Sequence, residues 1–139
     1  MKDDYELIRE LTARYAGAID ARDYAEIANC FAPGARVVYA GYSEELQGED
    51  AIIAHMRRAL EAMDVTQHLF ANFIIDIEGE EAEMTCDILA QHLHEGETFL
   101  AGGKYAVRLA RTQGRWKFTR ISARTVWSMG NRDMLPKAG

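Results

Sequence analysis

In the first half of the chain, apolar residues return every three or four positions. Leu7, Ile8, Leu11, Tyr15, Ala18 and Ile19 fall on one stripe of a helix over residues 3–21, with Asp3 or Asp4 able to cap its start. Residues 23–31 form a second, short helix, capped by Asp23 and stopped by Pro33-Gly34. Residues 35–42, which include Arg-Val-Val-Tyr-Ala, read as a strand. Gly48-Glu49-Asp50 opens a third helix that carries Ile52, Ile53, Met56, Leu60 and Met63 on one side.

After Asp64 the pattern changes. Four segments rich in β-branched and aromatic residues cover 65–78, 80–94, 98–111 and 115–129, and Gly79, Glu95-Gly96 and Gln113-Gly114 supply hairpin-compatible breaks. Strands this long twist and curl, the more so with Gly102-Gly103 in mid-strand. Helices followed by strands predict an α+β domain, with the helices on one face of a curved antiparallel sheet and a hollow between them.

Alternation then assigns faces. Phe99, Ala101, Gly103, Tyr105, Val107 and Leu109 should point inward, opposite Thr98, Lys104 and Arg108. Met84, Cys86, Ile88, Ala90, His92 and His94 share a second face. In the last segment Trp116, Phe118, Ser122, Arg124 and Val126 share a third, which sets a guanidinium in apolar company and in need of a partner. In residues 65–78 apolar side chains occupy both faces: Leu69, Phe73, Ile75 and Ile77 on one, Phe70 and Ile74 on the other. That distribution points to a homo-oligomer.

With 139 residues and no linker or repeat, residues 1–139 fit a single domain. The net charge of −6 disfavours nucleic-acid binding. No apolar run approaches the ~20 residues that cross a bilayer, and the acidic N-terminus is unlike a signal peptide, so the expected location is cytoplasmic with no membrane partner. Cys30 and Cys86 lack metal or redox spacing and read as core thiols.

Four polar residues stand where packing alone would prefer something else. Asp20 ends the first helix, where the dipole disfavours a carboxylate and burial should raise its pKa. His68 lies early in the first long strand, Tyr15 is on the apolar stripe of the first helix, and Arg124 is on the strand face described above. A carboxylate that accepts from one imidazole nitrogen makes the other a better base, and a phenol or guanidinium can hold a developing oxyanion. A metal reading competes: His92 and His94 point the same way, and with His68 they would make three imidazoles. The helical first half argues against the all-β fold that such a motif suggests, and the expected metal content is none. His92 or His94 is instead a candidate second donor in the pocket.

Taken in order, Tyr15…Asp20, Gly48, Gln67-His68-Leu69 and Gly103-Lys104-Tyr105…Gly114-Arg115-Trp116-Lys117-Phe118 resemble the SnoaL-like family of the nuclear transport factor 2-like superfamily over nearly the whole chain. Within it the chain is most similar to the Asp/His elimination enzymes: scytalone dehydratase, lindane dehydrochlorinase and bile acid 7α-dehydratase. The resemblance implies a cone-shaped α+β barrel and an Asp20–His68 dyad, with Tyr15 and Arg124 as donors, and chemistry without a cofactor. It also implies a dimer or trimer. Substrate contacts are expected from Phe31, Tyr39, Tyr42, Phe70, Ile88, His92, Tyr105, Trp127 and Met129, around a small, hydrophobic, cyclic molecule. Dehydratase-type elimination or isomerisation is the leading expectation. The rivals are an aldol-type polyketide cyclase using the same pocket and a binding module with no turnover.

Overall fold

Asp3 accepts a hydrogen bond from the Glu6 amide at 2.8 Å and starts α1 (Asp4–Ala21); Asp23 does the same for Glu26 at 3.1 Å and starts α2 (Tyr24–Asn29). These elements belong to a computed structural model that describes residues 1–135. β1 (Phe31–Val38), β2 (Leu46–Gln47) and α3 (Glu49–Glu61) follow. Four long strands then run as a meander: β3 (Val65–Glu78), β4 (Glu81–His94), β5 (Glu97–Thr112) and β6 (Arg115–Gly130), closed by a 3₁₀ turn at Arg132–Met134.

The strands lie in the order β2-β1-β6-β5-β4-β3. β1 runs parallel to β6 and every other pair is antiparallel. The sheet is mixed and open, with β2 and β3 at its edges, and the three helices pack on it. Among the described residues no helix is long and apolar enough to cross a membrane. The hairpins at Glu95-Gly96 and Gln113-Gly114 place both turn residues at positive φ, the type I′ geometry whose twist matches the flanking strands.

The first strand begins earlier than the Pro33-Gly34 stop implied. Phe31 already pairs with Phe118, and the register slips between Phe31 and Arg36. Proline is tolerated there because β2 pairs only with Arg36 and Val37, so no neighbour on that side needs an amide from Pro33.

Three bulges decide which side chains face the helices. In β3, Asn72 adopts φ 57° and the register jumps between Ala71 and Ile74. Phe70, Phe73, Ile75 and Ile77 are therefore all half-buried on one side, while Leu69 and Ile74 are exposed, a different partition from strict alternation. In β6 one extra residue is absorbed between Phe118 and Arg120, and another between Thr125 and Trp127. Trp116 and Phe118 face inward as expected, but beyond the first β6 bulge the inward set becomes Ile121 and Ala123. Ser122, Arg124 and Val126 are exposed.

Gly102 and Gly103 make the second β6 bulge possible. A Cβ on Gly103 would sit 2.4 Å from the Arg124 carbonyl oxygen, and one on Gly102 would sit 2.1 Å from the Trp127 indole nitrogen. Ile8, Tyr15, Ile27, Val37, Ile52, Leu109, Phe118 and Ile121 form the fully buried centre between α1, α3 and the sheet. Cys30 and Cys86 are unpaired and buried within this core, and burial pushes their thiols up to about 11 and about 12.

Candidate functional site

The end of α1 and the start of β3 meet at one carboxylate. Asp20 Oδ1 lies 2.7 Å from His68 Nδ1, and Asp20 Oδ2 accepts the His68 backbone N–H at 2.9 Å. The Thr66 hydroxyl donates to Asp20 Oδ1 at 3.0 Å. A carboxylate only accepts, so Nδ1 carries the proton that Asp20 holds, and in the base form of the ring the lone pair is on Nε2. The His68 side chain is 12% exposed and Asp20 24%, so the pair is shielded from bulk water.

The helix-end argument predicted a raised Asp20 pKa, and the structure reverses it. Burial does pull the carboxyl up, but the His68 ring, the His68 amide and the Thr66 hydroxyl outweigh it, so Asp20 sits below the ordinary aspartate value. The arrangement is tied from behind. Arg22, in the left-handed conformation that ends α1, donates to the Asp20 carbonyl oxygen (3.1 Å) and Thr66 Oγ1 (3.2 Å). It also donates to the Leu60 and Met63 carbonyl oxygens at 3.1 Å. One guanidinium thus joins the ends of two helices to the first residues of β3, and alternation gave no sign of it.

His68 opens onto a cavity of about 400 Å³. Its walls come from Ile19 of α1, Met56, Ala59 and Leu60 of α3, Ile88, Ala90 and His92 of β4, and Phe99, Ala101 and Tyr105 of β5. Tyr39, Gly41 and Tyr42 close one side, and Thr125, Ser128, Arg132 and Asp133 contribute from β6 and the turn after it. A cavity of this size, apolar with a few convergent polar groups, suits a small molecule.

His92 stands beside the dyad with its ring centroid 5.9 Å from that of His68. Its Nδ1–H donates to the Phe99 carbonyl oxygen at 3.1 Å, which leaves Nε2 as an acceptor. Burial, only partly offset by that bond, lowers its pKa and keeps the ring neutral. His94 turns instead to Asp64 (3.3 Å) at the exposed hairpin end, so the three imidazoles do not converge. Among the described residues no group of three His, Cys, Asp or Glu side chains is placed to hold a metal.

Of the expected contact residues, Tyr39, Tyr42, Ile88, His92 and Tyr105 line the cavity with His68. Tyr15 lies behind the wall: its hydroxyl is 2.7 Å from that of Tyr39, and burial pushes both phenols well above their usual pKa. Phe31 and Phe70 are also one layer back, with ring centroids 5.7 Å and 6.3 Å from that of Tyr15. Arg124, Trp127 and Met129 belong to the other side of the sheet. Arg124 is exposed there beside Asn72 and Lys104, Met129 is 65% exposed, and the Trp127 indole covers Gly102. For Arg124 the physical reason is the first β6 bulge, which displaces the alternation by one residue. The second bulge restores it, so Trp127 and Met129 lie on the face opposite Trp116, as plain alternation from Trp116 gives. His55 of α3 was missed, although it lies on the apolar stripe between Ile52 and Met56; it lines the cavity.

The comparisons with known proteins agree with this architecture. A family model described as a SnoaL-like domain matches residues 2–122. The terrestric acid biosynthesis cluster protein E of Penicillium crustosum is 30% identical over 138 residues, covering 92% of this chain and 86% of that protein. A solved Novosphingobium aromaticivorans protein, provisionally named a scytalone dehydratase, superposes with a TM-score of 0.82 at 23% identity, over 97% of this chain and 92% of its own. A type 2 hexachlorocyclohexane dehydrochlorinase superposes at 0.82 with 17% identity, over 91% and 88%. These two share the fold. On the extent of the family match and of the Penicillium alignment, the chain belongs to the SnoaL-like domain family.

Proposed function

We propose that this chain is a cofactor-independent lyase or isomerase of the dehydratase type, acting on a small, hydrophobic, cyclic substrate. The observation that carries the reading is the 2.7 Å contact between Asp20 and His68 at the wall of a mostly apolar cavity. His68 Nε2 removes a proton from carbon while Asp20 stabilises the imidazolium that forms. The departing hydroxyl of the substrate takes a proton from that imidazolium, so a C–H and a C–OH bond are exchanged for a double bond and one water. Returning the proton to a different carbon instead shifts a double bond. His92 Nε2 is positioned to accept from the leaving hydroxyl, and the Tyr39 phenol, backed by Tyr15, to donate to a substrate carbonyl. Arg124 has no part in this scheme. A placed base contributes about 10²–10⁴-fold, and the fixed donors the remainder.

The decisive test is proton exchange in D₂O with a panel of cyclic β-hydroxyketones, with loss of water followed by mass spectrometry. The wild-type protein should exchange and dehydrate a member of the panel. His68→Ala should lose about 10²–10⁴ in rate with its melting curve little changed. A His68→Ala variant that exchanges at the wild-type rate would refute the dyad. The second reading is aldol-type cyclisation in the same pocket, which a biosynthesis-cluster relative accommodates as well as it does elimination; there product mass equals substrate mass. The exposed Leu69, Leu93, Trp127 and Met129 on the outer sheet face support a homo-oligomer, dimer or trimer, which sedimentation equilibrium measures.

A further inference from the structure

Each of the other three histidines has a ring hydrogen bond: His68 to Asp20, His92 to Phe99, His94 to Asp64. His55 has none among the described residues, although it is only 7% exposed. Its ring stacks on Tyr39 at 5.1 Å and 13° and meets the edge of Tyr42 at 4.6 Å and 88°. It faces the main cavity and also a side pocket of about 160 Å³ lined by Tyr42, Ser43, Glu44 and Arg58. A phenylalanine would satisfy the stacking as well. The imidazole adds one N–H donor and one lone pair, which meet no partner among the described residues and open onto the two pockets instead. Burial, and then the nearby Arg58 charge, lower its pKa, so the ring is neutral and suited to a hydroxyl or carbonyl rather than to an ion pair.

We propose that His55 is a second polar anchor of the pocket, hydrogen-bonding a hydroxyl or carbonyl oxygen of the ring substrate away from the reacting carbon. The pocket then selects ring compounds that carry two oxygen functions, one read at the His68–His92 wall and one at the His55–Tyr39 wall. This rests on the cavity being the substrate site, and it is independent of which reaction the dyad performs.

Titration calorimetry with a monohydroxynaphthalene and with dihydroxynaphthalenes bearing one hydroxyl on each ring tests it. The wild-type protein should bind at least one dihydroxy probe about three- to tenfold more tightly than the monohydroxy probe, the worth of one neutral hydrogen bond. His55→Phe should erase that margin and leave the monohydroxy affinity within about twofold. Should that variant misfold, nitrogen-15 signals of the His55 ring in the wild-type protein should shift with the dihydroxy probe and not with the monohydroxy one. A margin that survives His55→Phe overturns the anchor. So does a margin lost only in His68→Ala, which would leave the dyad reading standing. Failure of every probe to bind overturns both the anchor and the cavity as the substrate site.

Discussion

Replacing Asp20 with asparagine removes charge while keeping shape, and the hydrogen bonds around it set the size of the effect. The carboxylate accepts from three donors: the His68 amide, the His68 ring and the Thr66 hydroxyl. An asparagine has one oxygen to offer in place of two. Its amide nitrogen must face at least one of those donors, so at least one bond is broken with its donor left partly buried. Such a loss costs about 1–3 kcal/mol. For 139 residues an unfolding entropy near 2.1 cal/mol/K per residue gives roughly 0.3 kcal/mol/K, so a cost of about 2 kcal/mol lowers Tm by about 7 °C. The chemical consequence is larger. An amide N–H aimed at Nδ1 drives the imidazole proton to Nε2, and the lone pair then faces away from the cavity. Histidine nitrogen-15 spectra report the tautomer without any substrate. They should show Nδ1 protonated in wild type and Nε2 protonated in Asp20→Asn, with turnover down about 10²–10⁴-fold. An unchanged tautomer in a folded Asp20→Asn protein would refute the electrostatic role given to Asp20.

The depressed Asp20 pKa has a signed consequence for pH. A lowered folded value stabilises the protein above the unfolded aspartate pKa, near 3.9, and that contribution fades as pH falls through the folded value. The Tm gap between wild type and Asp20→Asn should therefore be full at neutral pH and shrink in acid, as thermal melts across a pH series would show. Gly103→Ala should destabilise by about 1–3 kcal/mol in denaturant titrations, because the added methyl meets a backbone carbonyl. Gly102→Ala should cost less, since the indole it meets belongs to a half-exposed side chain that can swing away; equal losses would contradict the bulge account. Arg124→Ala should change stability by less than about 0.5 kcal/mol and leave turnover within about twofold, and a large loss of activity would return Arg124 to the site.

Residue chemistry singled out Asp20 at a helix end and His68 at a strand start, both expensive to bury alone, and the resemblance to the SnoaL-like family is what paired them. The helix starts and hairpin turns were legible because Asp3, Asp23 and the two left-handed turn pairs solve local backbone problems. Side-chain facing in β3 and β6 was not. A bulge adds one residue without changing composition, so strict alternation carried Arg124 inward. Trp127 and Met129 were assigned to the pocket against the alternation of β6, which already sets them opposite Trp116. The Asp20 pKa was misjudged because the helix-end field is visible from sequence, whereas hydrogen bonds from Thr66 and the His68 amide exist only once β3 is docked. Arg22 was invisible because its work depends on a left-handed cap. His55 was missed because it lies on an apolar helical stripe.

The bulge at Asn72 also bears on how this chain lives beside other copies of itself. β3 is an edge strand of fourteen residues, long enough to template a foreign strand along its free rim. A left-handed kink near its middle breaks that rim into two short, misaligned stretches, neither offering a continuous row of amides. Straightening it by deleting Asn72 would join the stretches into one uninterrupted rim while leaving Phe73, Ile75 and Ile77 on the same face as Phe70. The same irregularity that misleads pattern reading thus guards the chain against stacking edge to edge.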